Sequence, residues 1–189
     1  QPAVVLMESC KGSMVRARDI ADLGHDSRLV KGADVKALRN VTQKNDIRDA
    51  DYIARLFYVP GTKYVFVKNQ RQQSLQFLQN EYKSLQELRI RVGNQIHAGL
   101  EEFGCPGSKS KKFIQSRMMA HLEKNAELIP DEVMASFLRR RDMWLNMFEQ
   151  EEQAKTRMEE IAMTDDDAKR IMTVPGVGAQ TAVGMLVHI

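Results

Sequence analysis

The sequence predicts an α/β unit followed by a long all-helical region. Three observations carry that reading: a short apolar run near the start followed by a helical pattern and a second short run, two extended heptad-like seams, and a Pro-Gly-containing turn between short helical patterns near the end. The 189 residues carry 43% hydrophobic residues, enough for a real core. The 28 Lys and Arg against 25 Asp and Glu give a net charge of +3, so local placement of charge has to decide what the chain binds. Cys10 and Cys105 form no CxxC pair, which argues against a zinc ribbon or a disulfide scaffold and for a reducing cytoplasm. With no apolar run of membrane-spanning length, no membrane partner is expected. The abrupt apolar starts and ends around Val4 and Val187 read as those of an internal fragment.

Val4-Val5-Leu6-Met7 is a continuous apolar run, the pattern of a strand buried on both faces, with Glu8 at its carboxyl end. A helix follows, with Met14, Val15, Ala17, Ile20, Ala21 and Leu23 as its buried side, and Gly24 closes it. His25 to Val30 reads as a second strand, which makes a βαβ-like unit, and Val35 to Leu38 as a short helix. The stretch Lys44 to Phe57 is a further helix; at about 100° per residue, Ile47, Ala50, Ile53, Ala54 and Phe57 share one face, with Asp46 and Asp49 on its border and Asp51 pointing away. Two readings fit those acids. Carboxylates at the edge of a buried face suit a divalent-cation site, and an amphipathic helix with ordinary surface acids has the same pattern.

Pro60-Gly61 ends this region, and Tyr64 to Val67 is a brief extended segment. From Lys68 the chain turns helical and charged. Leu75, Leu78, Tyr82, Leu85, Val92, Ile96 and Phe103 recur at threes and fours, interrupted by Arg89 and Gly99, and a second seam runs through Phe137, Trp144, Met147, Glu151, Ala154, Met158 and Ile161. Matching seams predict an antiparallel hairpin or an intermolecular coiled coil. Between them lies a basic connector, Gly104 to Lys112, whose Lys109, Lys111 and Lys112 suit either phosphate contact or a solvated loop tip. A helix from Phe113 to about Leu128 follows it.

The stretch from Asp165 to Ala182 resembles a helix-hairpin-helix. Thr164 or Asp165 can cap the first helix, Val174-Pro175-Gly176-Val177-Gly178 makes the turn, and a second helix begins near Ala179. The glycines Gly176 and Gly178 and the helix amides suit a nucleic-acid phosphate; a plain helical turn is the alternative. The histidines are scattered, no serine lies in a GxSxG context, and no phosphate-binding glycine motif is present.

Taken together, Leu6-Met7-Glu8-Ser9-Cys10, Lys44-Asn45-Asp46-x-x-Asp49-Ala50, the long helical arm and Met172-Thr173-Val174-Pro175-Gly176-Val177-Gly178 resemble the DEDD transposases of bacterial insertion sequences of the 110 type, to which Piv-like DNA invertases are similar. The resemblance implies a partial RNase H-like (RuvC-like) domain over residues 1–62, a coiled-coil arm over 63–162, and the start of a C-terminal transposase domain with its helix-hairpin-helix over 163–189. It implies Mg²⁺ or Mn²⁺ held by four carboxylates, of which Glu8, Asp46 and Asp49 are three, and cleavage and rejoining of DNA guided by a structured non-coding RNA in a cytoplasmic bacterial protein. Lys44 joins Lys109, Lys111 and Lys112 as a candidate nucleic-acid contact; Lys68, Arg71, Lys83, Arg89 and Arg91 on the arm suit phosphate or RNA contact and a solvated helix face equally, and the arm's seam predicts a homo-oligomer. The family's first Asp and its C-terminal Ser are not in this sequence, so it is expected to have little nuclease activity alone. The alternatives are a Holliday-junction resolvase of the RuvC type and a non-catalytic coiled-coil and helix-hairpin-helix DNA-binding protein.

Overall fold

A computed structural model of the chain describes residues 1–38 and 46–189, with side chains for 1–38 and 49–189. It divides into two compact units, residues 1–73 and 74–187. Among the described residues, no helix is long and apolar enough to cross a membrane.

The first unit is built on a mixed sheet. Strand β1 (Val4–Glu8), helix α1 (Ser13–Asp22) and strand β2 (Asp26–Val30) form the expected βαβ unit, with β1 and β2 parallel from Val4 opposite Asp26 to Glu8 opposite Val30. Strand β3 (Tyr64–Val65) pairs antiparallel with β2, giving the order β1-β2-β3 among the described residues. Strand β1 is less buried than expected: Leu29 and Val30 of β2 are fully buried, whereas Val4 is exposed and the rest of β1 is half-buried. In α1 the buried positions are Ser13 and Ala17, while Val15, Ala21 and Leu23 face solvent. The Ser27 hydroxyl donates to the Ala17 carbonyl at 2.7 Å, and Arg18 donates to the Lys68 carbonyl at 2.7 Å, tying α1 to β2 and to the segment after β3.

Helices α2 (Gly32–Ala37) and α3 (Asp46–Leu56) complete the unit. Its core is Val30, Val35 and Leu56, with Leu6, Tyr52 and Ile53 packed against them. The inward face of α3 is therefore Tyr52, Ile53 and Leu56, rotated from the expected one: Ala50, Ala54 and Phe57 are exposed. The larger Tyr52, Ile53 and Leu56 pack inward, and the alanines line a groove with Val4, Leu6, Ile53, Phe57 and Tyr58.

Two long helices dominate the second unit: α4 (Gln70–Glu102) and α6 (Asp131–Thr164). Helix α4 opens with a reciprocal capping box, Gln72 N–H donating to Asn69 Oδ1 at 2.8 Å and Asn69 N–H to Gln72 Oε1 at 2.9 Å. The pair is an antiparallel hairpin within one chain, since Arg89 meets Glu151, Gly93 meets Trp144 and Gly99 meets Phe137. The two glycines are notches. A Cβ at position 93 would lie 3.1 Å from Trp144 Nε1, and one at 99 would lie 2.9 Å from the Phe137 ring.

The segment after the connector is not one continuous helix. A π-helical turn, Phe113–Arg117, leads into α5 (Met118–Lys124) and a 3₁₀ turn, Ala126–Leu128. Phe113 and Ile114 of the π-helical turn are both buried. They join Val92, Ile96, Leu100, Met118, Leu122, Phe137 and Trp144 in one core. Helices α7 (Asp166–Met172) and α8 (Ala179–Leu186) close the chain. They share a second core, with Leu75, Met158, Ala162, Ala168, Ala182, Val183, Leu186 and Val187 buried together.

Candidate functional site

Of the three acids singled out from sequence, the structure places two. Glu8 ends β1, half-buried, and its carboxylate lies against Gly32 at the start of α2, where a side chain would collide with it. Asp49 is half-buried one turn before the inward-facing Tyr52 and Ile53 of α3, a helix packed on β1. The Asp46 side chain and all of Lys44 lie outside the described residues. Among the described residues no group of three His, Cys, Asp or Glu side chains is placed to hold a metal ion. Asp51 is a surface acid as expected, paired with Arg55 at 2.7 Å. Ser13, at the head of α1, has a buried hydroxyl without a hydrogen-bond partner, a feature that nothing in its sequence context signals.

The chemistry of this pair is that of hard oxygen donors. Glu8 stands at a strand end and Asp49 on a helix packed against that strand, each partly withdrawn from water. Such donors suit Mg²⁺ or Mn²⁺, which prefer carboxylates and keep bound water.

The basic candidates divide sharply. Lys109, Lys111 and Lys112 are all exposed on the connector; Lys109 reaches Glu101 at 3.4 Å and Lys111 lies over the Phe148 ring at 5.5 Å from its centroid. On α4, Arg71, Lys83 and Arg91 stay on the surface. Arg89 does not. It is 5% exposed, its guanidinium donates to both carboxylate oxygens of Glu151, itself 2% exposed, and it lies 5.5 Å from the Trp144 ring centroid. Arg89 is thus a buried partner of Glu151 rather than a phosphate contact, and Lys68 is also buried. The interruption in the first seam and the polar member of the second are one ion pair.

At the closing helical pair, Asp165 caps α7 as expected, its carboxylate accepting from Ala168 N–H at 2.8 Å. The turn that follows holds Gly176 at a φ of 86°, a conformation open to glycine and costly for other residues. Gly178 sits at the N-cap of α8 with no side chain capping the helix, and Val174 to Gly176 and Gly178 are exposed. Lys169 and Arg170 on the same hairpin pair with Asp166 and Asp167.

A second cleft, unseen in the sequence, lies beside the arm's core. It has a volume of about 420 Å³ and is walled by α4, the connector, Ile114 and Trp144.

No family model matches the chain. It is similar to the transposase for insertion sequence element IS1328 of Yersinia enterocolitica, with 30% identity over 181 residues, covering 96% of this chain and 53% of that protein. The transposase for insertion sequence element IS1111A of Coxiella burnetii is 26% identical over 191 residues, covering 98% of this chain and 50% of that protein. A probable family 20 transposase of Pseudomonas aeruginosa is 33% identical over 103 residues, 54% of this chain and 30% of that protein. The chain spans about half the length of the Yersinia and Coxiella relatives.

Proposed function

We propose that this chain is part of an insertion-sequence transposase of the DEDD type, which breaks and rejoins DNA phosphodiesters. The observation that carries the reading is likeness to insertion-sequence transposases over nearly the whole chain. Glu8 and Asp49 on adjoining elements support it, as does the arrangement of β1 and β2, parallel strands with Glu8 at the carboxyl end where α/β sheets carry their sites.

Glu8, Asp46 and Asp49 would hold Mg²⁺ or Mn²⁺, which when bound lowers the barrier to phosphodiester attack by charge neutralisation and by activating the attacking oxygen. The first unit is then the RNase H-like portion of the enzyme. The arm and the hairpin about Gly176 and Gly178 engage nucleic-acid phosphate, with Lys109, Lys111 and Lys112 contributing counter-charge. DNA is the substrate and a structured non-coding RNA its guide, in the bacterial cytoplasm. Self-association through the arm is favoured by exposed apolar residues on one stripe of α4: Phe77 is 71% and Leu88 42% exposed, three turns apart on the same face.

The test is made in a protein of the relatives' full length that contains this chain. Glu8→Gln and Asp49→Asn should each abolish strand cleavage in Mg²⁺ while leaving binding to element-end DNA within about twofold, because the carboxylates act on the reacting phosphate rather than on the duplex. Variants that keep full cleavage would overturn the DEDD assignment, since the carboxylates would then take no part in the chemistry.

A further inference from the structure

We propose that the cleft between α4 and the connector is a pocket for one unpaired nucleotide of a single-stranded nucleic acid, the base lying against α4 and its phosphate on Lys109 and Lys111. The inference rests on the nucleic-acid reading above and assigns it a site.

The cleft's volume of about 420 Å³ falls in the range of small-ligand sites and suits a nucleotide rather than a duplex edge. Its floor is Gly93, Ile114 and the edge of Trp144, packed together, and the exposed Ile90 and Ala98 stand on its rim. Trp144 stacks in turn on Phe148, with the rings parallel within 3° and 5.4 Å apart. One wall carries His97, which lies against the Phe113 ring and whose Nδ1 is buried with no hydrogen-bond partner in the protein. Asn94 and Ser110, both exposed, offer donors and acceptors for a base edge.

The charge is at the mouth. Lys109 is 78% exposed, and its pair with Glu101 is a solvent-exposed one that a phosphodiester can displace. Lys111 sits above Phe148 at the same lip. Apolar slot, polar wall and cationic lip together match how unpaired bases are held: stacking and edge hydrogen bonds for the base, lysine for the backbone. Duplex DNA, its bases already stacked, cannot enter.

Trp144 is the protein's one tryptophan and reports on the cleft directly. The 189-residue chain is titrated with short single strands of DNA and of RNA, with an abasic strand of equal charge and with duplex, following emission and, separately, binding by anisotropy of a labelled strand. The expected result is saturable quenching by base-bearing single strands, with the abasic strand binding about tenfold more weakly and leaving emission unchanged. Whichever of DNA and RNA quenches at lower concentration identifies the source of the nucleotide. Ala98→Phe, at an exposed position on the rim, should block the slot and abolish quenching while the melting temperature holds; Lys109→Ala with Lys111→Ala should weaken binding about tenfold at low salt. Equal binding of duplex, abasic and base-bearing strands with constant emission would overturn the pocket while leaving the DNA-binding reading intact. Absence of binding to any nucleic acid would overturn both.

Discussion

Replacing Glu151 with Gln should unfold the arm far more readily than any surface change. Arg89 and Glu151 are 5% and 2% exposed and make a two-pronged contact, so the Gln variant leaves a guanidinium charge buried without its counter-charge. Removing one member of a buried pair typically costs about 3–5 kcal/mol. For a unit of this size, at about 4 °C per kcal/mol, the melting temperature of the second unit should fall by roughly 12–20 °C. The opposite holds for the double variant Arg89→Met with Glu151→Leu, which restores packing without charge and should recover most of the loss or exceed the parent, by about 1–4 kcal/mol. The assay is far-UV circular dichroism against temperature and urea for the parent, both single variants and the double. A Gln variant within about 1 kcal/mol of the parent, or a double variant no better than the single, would refute the claim that desolvation rather than direct attraction sets the energy of this pair.

Asp165→Ala should cost about 1 kcal/mol by removing the cap at Ala168 N–H, read as a shift in the urea midpoint with unchanged slope. His97 is held below its ordinary value of 6.5 by burial, with Lys109 adding to the effect and Glu101 opposing it. A depressed histidine binds more protons unfolded than folded, so its contribution to stability is complete above pH 6.5 and is lost as pH falls through the lowered value. His97→Gln should therefore flatten that part of the stability profile, measured by denaturation at stepped pH, and an unchanged profile would count against its burial.

The βαβ unit and the two long helices were legible because their signals are local: a continuous apolar run, and seams recurring at threes and fours. What escaped is what depends on a partner. Arg89 and Glu151 stand in separate seams 62 positions apart, and as single letters each looked like a flaw or a surface charge. Gly99 looked like a break for the same reason, since the Phe137 ring that fills it belongs to another helix. In α3 the apolar residues were read correctly as a stripe but the stripe was centred one step away, because both flanks carry apolar residues and only the sheet decides which flank it covers. The placing of Glu8 at a strand end was legible from the apolar run before it, and that of Asp49 beside the buried stripe from the helical period. The cleft beside His97 was not, since its walls come from three stretches of chain that only the folded hairpin assembles.

Gly93 and Gly99 bear on how the arm has been able to change. Two glycines in the middle of a long helix weaken it by about 1 kcal/mol each relative to alanine, so α4 taken alone is a helix with a soft centre. It is stiffened from outside, by Trp144 and Phe137 seated in the gaps. The small residue and the ring opposite it are then heritable as couples: enlarging one demands shrinking the other, and positions 93 with 144 and 99 with 137 should covary wherever this hairpin recurs.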